Sequence, residues 1–380
     1  MTTTLRVIVD QIVAPTPGGV GRYAEELTRA LIETAPLGCD VVGVMSSSAE
    51  TDYELVRTLL PGMTDLLKSP MARRELSLAW QHGFTKIPGT GMVHAPSLLA
   101  PLRRHDRLNN QNDQIIVTIH DVVPWTHPET LTAHGVSWHK AMARRAQKYA
   151  DAVVTPTHAV ADQLADIMDF GDRVRVVPGA VSGKFEVPVD VDQRAERLGL
   201  PERYLLSVGT LEPRKGLQPL IRSLVSEEDS GLPLLIAGPQ GWGELDVSAI
   251  AADAGVDPER VRALGRLSDA DLAVAMDRAT VFVFPSLAEG FGLPIIEAFH
   301  FGTPVVHSDD PALMEVAADA GIAVALSPTD TYPERLAAAI RSVADDSALA
   351  ERLRFAGMDR ARAFSWKDSA QKVWQLHADL

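Results

Sequence analysis

The chain has 380 residues, 46% of them hydrophobic, enough for two domains that each bury a core. A net charge of −14 without a basic stripe excludes nucleic-acid binding, and no run of about 18 uncharged apolar residues offers a membrane span. The single cysteine, Cys39, excludes an internal disulfide and a thiolate zinc site and is expected as a small buried residue.

In chain order, "LRVIVD" (5–10) reads as a first strand, with no basic-then-apolar leader before it, so a cytoplasmic location is expected. "PTPGGVGRYAEEL" (15–27) follows, and its Gly19, Gly21 and Ala24 formally match a dinucleotide fingerprint. The match is weak, because a long loop precedes the glycines and the next strand, "CDVVGVM" (39–45), ends without a ribose-binding acid; an NAD-dependent oxidoreductase ranks last. Gly18, Gly19 and Gly21 are read instead as an anion-accommodating loop opening a helix, with a purely structural turn as the alternative. "QIIVTIHD" (114–121) places His120 and Asp121 just after a buried strand. There His120 would meet a sugar hydroxyl or acceptor, Asp121 an acceptor; the bland alternatives are a His–Asp turn pair and a cap. The helix "HGVSWHKAMARRAQKYA" (134–150) carries Lys140, Arg144, Arg145 and Lys148 without an acid, which reads as a solvated face or as contact with anionic lipid or a phosphate-bearing acceptor.

"DAVVTPT" (151–157) ends the first series of strands, and the Gly- and Pro-rich stretch 176–202 reads as the boundary. A second series opens at "RYLLSVGT" (203–210) and runs through "LPLLIAG", "RVRALG", "ATVFVFPS" and "TPVVHS". Charge divides with it, −2 over residues 1–186 (18 Lys+Arg, 20 Asp+Glu) and −12 over 187–380 (18 and 30). In "SVGTLEPRKGLQPL" the cations Arg214 and Lys215 precede a helix, where the positive dipole end disfavours them; such rule-breaking marks a site for an anionic leaving group. In "PSLAEGFGLPIIEAFHFGTPVV" (285–306) Gly290 and Gly292 flank a turn, a helix is predicted from Leu293–Pro294, and Glu297 is expected in its first turn as a partner for ribose hydroxyls. "DVD" (190–192) and "DAD" (269–271) mimic a metal-binding carboxylate pair, yet no buried strand precedes either, and no metal is expected.

These motifs, "VGTLEPRKGL", "LLIAGPQGWGE", "LGRLSDADL", "FPSLAEGFGLPIIEAFHFGTPVV" and "MEVAADAG" in that order, with looser "GGVGRY" and "VTIHD" before them, resemble glycosyltransferase family 4, the retaining nucleotide-sugar transferases of GT-B fold. The resemblance implies an α/β chain of two doubly wound Rossmann-like domains facing across an interdomain cleft. Their expected bounds are 1–185 for acceptor binding, a linker over 186–202, 203–365 for the nucleotide sugar, and a helix over 366–380 crossing back. It implies that Glu289 and the amides of Gly290, Phe291, Gly292 and Leu293 hold the sugar and phosphates, that Glu297 holds the ribose, and that Arg214 and Lys215 take the pyrophosphate. Gly209 and Thr210 stand where many members have Gly-Arg, so Arg214 is expected to replace that arginine. Gly265 and Arg266 are candidates for the base.

"TLEPRKG" looks like bacterial mannosyl- and rhamnosyltransferases, making GDP-mannose the expected donor and a glycan or lipid-linked molecule the acceptor. No cofactor is expected, and peripheral contact with the inner face of the membrane through the first domain is left open. The alternatives are a nucleotide-sugar epimerase of the same fold and a non-catalytic sugar-nucleotide-binding subunit.

Overall fold

A computed structural model describes residues 3–87, 89, 91–106, 109–110, 113–241 and 245–380. The Trp242–Glu244 end of the "LLIAGPQGWGE" motif lies outside the described residues. The chain divides into two units: residues 1–128, 133–179 and 365–380 form unit 1, and residues 129–132 and 180–364 form unit 2.

Unit 1 holds a seven-stranded parallel sheet of β1 (Thr3–Ile8), β2 (Cys39–Ser47), β3 (Asp65–Ala72), β4 (Met92–Ala95), β5 (Ile115–Thr118), β6 (Ala152–Thr155) and β7 (Val174–Val176), in the order β3-β2-β1-β4-β5-β6-β7. Unit 2 holds a six-stranded parallel sheet of β8 (Leu205–Val208), β9 (Leu234–Ala237), β10 (Val261–Gly265), β11 (Val281–Phe284), β12 (Val305–Ser308) and β13 (Ile322–Val324), in the order β10-β9-β8-β11-β12-β13. Both are doubly wound sheets of the GT-B type, and each reverses its strand order once, between β1 and β4 and between β8 and β11. Sheets covered on both faces need strands apolar on both, and β11 meets this with four buried residues, Val281 and Val283 in one apolar cluster and Phe282 and Phe284 in the other. Cys39 opens β2 and is half-buried rather than buried.

The expected boundaries shift. Unit 1 ends at Gly179, not at residue 185, and residue 365 already belongs with it. The expected linker 186–202 contains a helix, Val191–Leu198, that packs in unit 2 against the helix Asp269–Asp277. Arginines fasten the two: Arg194 contacts Asp190 at 2.7 Å and Asp271 at 2.8 Å, Arg197 contacts Asp271 at 2.6 Å, and Arg278 pairs with Asp192. Asp190 and Asp192 of "DVD" and Asp271 of "DAD" thus serve guanidinium groups. Glycines and prolines at both ends of 176–202 masked a helix short enough to read as loop.

The helix Trp366–Asp379 packs on Gly18–Glu33 within unit 1. Its Trp374 Nε1 donates to the Leu31 carbonyl at 3.2 Å, and Ala370 and Val373 are fully buried. In the basic helix, Ala133–Tyr149, Arg145 donates to the Leu102 carbonyl at 3.0 Å and Trp138 packs on the core, which leaves Arg144 and Lys148 as its exposed cations. No helix among the described residues is long and apolar enough to cross a membrane.

Candidate active site

In unit 2 the loops leaving β8 and β11 emerge side by side at the switch point, where open parallel sheets bind ligands. After β8 the chain passes Gly209 and Thr210, then makes a short 3-10 turn, Pro213–Lys215, ended by Gly216 at φ +67°. A Cβ on Gly216 would fall 2.1 Å from the Pro285 carbonyl oxygen, so only glycine lets this turn lie against the loop after β11. Leu287 N donates to the Arg214 carbonyl at 2.8 Å, and Arg214 Nη1 donates to the Ala288 carbonyl at 2.7 Å.

This interlock brings both cations to Glu289. Lys215 Nζ donates to Glu289 Oε1 at 2.5 Å, and Arg214 Nη1 lies 3.1 Å from Oε2. Burial alone would raise the Glu289 carboxyl, but the charges of Lys215 and then Arg214 overrule it and hold it at about 2. Burial, reinforced by Arg214 and opposed by Glu289, lowers the Lys215 ammonium from its ordinary value. The lysine stem covers Gly209, with Cδ and Cε 3.5 Å from where a Cβ would stand. Gly238, at φ +153°, lets the Gly209 carbonyl approach within 1.9 Å of its own absent Cβ.

Asp310, which the sequence reading did not single out, completes the cluster. It caps the helix Pro311–Ala317 through Oδ1 and accepts from Glu289 N at 3.4 Å through Oδ2. Burial raises its carboxyl to about 6, with the nearby Glu289 charge adding to the rise and the N–H groups it accepts opposing it. Between 3.8 and 6 the folded chain therefore holds a proton that the unfolded chain releases, so stability falls as pH rises through that window. Asp310→Asn keeps the cap and removes the charge. It should raise Tm by about 2–4 °C at pH 7 and by little at pH 4; an equal gain at both pH values would refute the assignment.

The other expected donor residues divide. Gly292, at φ +88°, caps the helix Leu293–His300, whose second residue is proline, as predicted. Glu297 is buried and, as the fifth residue of that helix, lies in its second turn rather than the first, although the helix starts at Leu293 as expected. Gly290 is buried, and Leu293 packs partly on the core. Phe291 turns its ring into the core and meets Phe364 edge-on at 5.4 Å, so only its backbone is left to face a ligand. Gly265 is the last residue of β10 rather than part of the following loop; it and Arg266 are exposed.

In unit 1, Gly18, Gly19 and Gly21 lie in the first turn of the helix Gly18–Glu33 and not in a loop before it. A Cβ on Gly21 would meet Pro17 Cβ at 2.4 Å and the Gln11 carbonyl oxygen at 2.8 Å, so this glycine serves close packing. The cap residue Pro17 brings no side-chain acceptor and the first turn no acid, an arrangement suited to an anion. His120 is half-buried, and its Nε2 donates to the Pro96 carbonyl at 2.7 Å. Since a carbonyl only accepts, the neutral ring carries its proton on Nε2 and keeps a lone pair on Nδ1. Burial lowers its pKa and keeps it neutral, against the Pro96 carbonyl and Asp121. Asp121 Oδ1 accepts from Val123 N at 3.0 Å, the capping role weighed above.

Two family models cover most of the chain: "Glycosyl transferases group 1" matches residues 189–360 and "Glycosyltransferase Family 4" matches residues 17–182. The chain is a family 4 glycosyltransferase. Among curated relatives of this transferase, O-antigen chain mannosyltransferase B of Escherichia coli is 29% identical over 284 residues, 73% of this chain and 71% of the relative. D-inositol 3-phosphate glycosyltransferase of Nocardioides sp. is 32% identical over 247 residues, 60% of this chain; the match spans 53% of that relative. Anabaena HepE in complex with UDP-glucose superposes with a TM-score of 0.75 at 16% identity, over 99% of the transferase and 100% of HepE.

Proposed function

We propose that the transferase moves mannose from GDP-mannose to a glycan or lipid-linked acceptor, retaining the anomeric configuration and using no metal. The observation that carries this reading is the buried Glu289 carboxylate that contacts both Lys215 and Arg214 at the β8–β11 switch point. Two fixed cations there can accept the charge that develops as a sugar–diphosphate bond breaks, which is the largest kind of term in such catalysis. Glu289 keeps them from repelling each other and holds them in place without reorganisation. The likeness to a mannosyltransferase supports the sugar. In the front-face course proposed, the departing diphosphate takes the proton of the acceptor hydroxyl. Arg214, Lys215 and the amides at the start of Leu293–His300 hold that diphosphate. Glu297 binds the ribose, Gly265 and Arg266 the base, and Thr210 and Gly209 border the phosphates; Gly18 and Gly19 offer amides suited to an anion at the start of Gly18–Glu33. His120 and Asp121 serve the acceptor, and the exposed Arg144 and Lys148 suit an anionic membrane surface at the inner face, so a cytoplasmic protein with peripheral contact is proposed.

Thermal unfolding with GDP, UDP, ADP and dTDP, each with and without Mg²⁺, tests the donor. At about 100 times its dissociation constant a ligand adds about 2.7 kcal/mol, a shift of a few degrees. GDP alone should stabilise the protein, indifferently to Mg²⁺, and Glu297→Gln should lose most of that shift. A larger shift with UDP would overturn the mannose assignment. An epimerase would consume GDP-mannose with no acceptor present, so an acceptor-dependent product separates the readings.

A further inference from the structure

We infer that Tyr23 is a positioning residue that ties the imidazole of His120 to the two connectors by which the chain leaves unit 1 after Gly179 and re-enters it at Ser365. The inference rests on the reading of His120 as an acceptor-side residue. The chain passes out of unit 1 after Gly179 and returns at Ser365. Tyr23 is buried, and its hydroxyl donates to the Val177 carbonyl at 3.3 Å, two residues before that exit. Its ring meets Trp366, one residue past the return, with centroids 5.4 Å apart and planes at 71°. Ser369 Oγ donates to the Pro178 carbonyl at 2.8 Å and so joins the two connectors directly.

Tyr23 also meets His120, at 4.8 Å and 87°, an edge-to-face geometry that fixes the plane of the imidazole. With the ring plane set by Tyr23 and Nε2 bound to the Pro96 carbonyl, the direction of the Nδ1 lone pair is determined. A displacement of either connector passes through one rigid phenol ring to that lone pair. Tyr23 itself remains a neutral phenol, because burial raises its pKa against the opposing Thr118 hydroxyl.

The test uses the full chain labelled with ¹⁵N, whose His120 ring signals are assigned with His120→Gln and report tautomer and orientation without reference to turnover. Tyr23→Leu should give a mixture of His120 tautomers and lower kcat by about 30-fold with donor KM within about twofold, as misplacement rather than lost binding requires. Tyr23→Phe, which keeps the ring, should restore the single tautomer and most of the turnover. Trp366→Leu should broaden the His120 signals and reduce kcat less. Parental His120 signals and turnover in Tyr23→Leu would overturn the inference. If Tyr23→Leu does not fold, parental His120 signals in Trp366→Leu would overturn it. Parental turnover in His120→Ala would instead overturn the acceptor-side reading of His120, while the tautomer signals still report the stack.

Discussion

Lys215→Ala should lower kcat by about 10²–10³, with the donor KM within about threefold. Lys215 is largely buried beside Arg214, and Glu289, helped by Glu212 at 3.7 Å from Arg214, balances the two cations. In the bound donor the diphosphate charge is shared with the sugar through the bond that will break, and it grows on the leaving oxygen only as that bond lengthens. An ammonium at the switch point therefore gains most of its interaction late in the reaction, and its removal falls on turnover rather than on binding. The substitution leaves Glu289 with Arg214 as partner, so the fold should survive, which circular dichroism can check. Steady-state kinetics with GDP-mannose decide: equal losses in kcat and in donor affinity, or none, would refute the late-charge role.

Gly216→Ala should be as damaging by a different route. The added Cβ would stand 2.1 Å from the Pro285 carbonyl oxygen, closer than any real contact, and both partners are backbone. The residue also holds φ +67°, where a side chain adds about 1 kcal/mol of its own. The turn must then lift from the β11 loop, which costs about 2–4 kcal/mol in all and carries Arg214 and Lys215 away from Glu289. We expect Tm to drop by several degrees and turnover by more than about 100-fold. Gly231→Ala is the control, because it shares the positive φ of +74° yet meets no atom within 4 Å. If Gly216→Ala behaves like that control, the close approach is not what holds the site.

Much of this site was legible before any coordinates. Arg214 and Lys215 stood out because cations at a helix start are locally unfavourable, and Glu289 stood out because a carboxylate and two glycines crowd one turn. Their mutual contact was not legible, since it depends on which strands are neighbours: β8 and β11 are far apart in sequence and adjacent in the sheet. Asp310 escaped for the same reason, as "DDP" reads only as a cap before proline, and β12 must lie beside β11 before that cap reaches Glu289 N. The strands β3, β4, β7 and β13 were also missed; β3 carries alternating half-buried residues with a proline, and the other three are only three or four residues long. The start of the helix at Leu293 was read correctly, but Glu297 is its fifth residue and lies just past the first turn in which it was expected.

The return of residues 365–380 to unit 1 orders the events of synthesis. Unit 2 is one nearly unbroken stretch, residues 180–364, and its sheet can close without the residues that follow. Unit 1, though its first strands emerge earliest, keeps the apolar face of Gly18–Glu33 uncovered until Ala370, Val373 and Trp374 have been made. The earlier half of the molecule thus waits for a segment translated after the whole of unit 2, and until then it presents the surface that chaperones recognise.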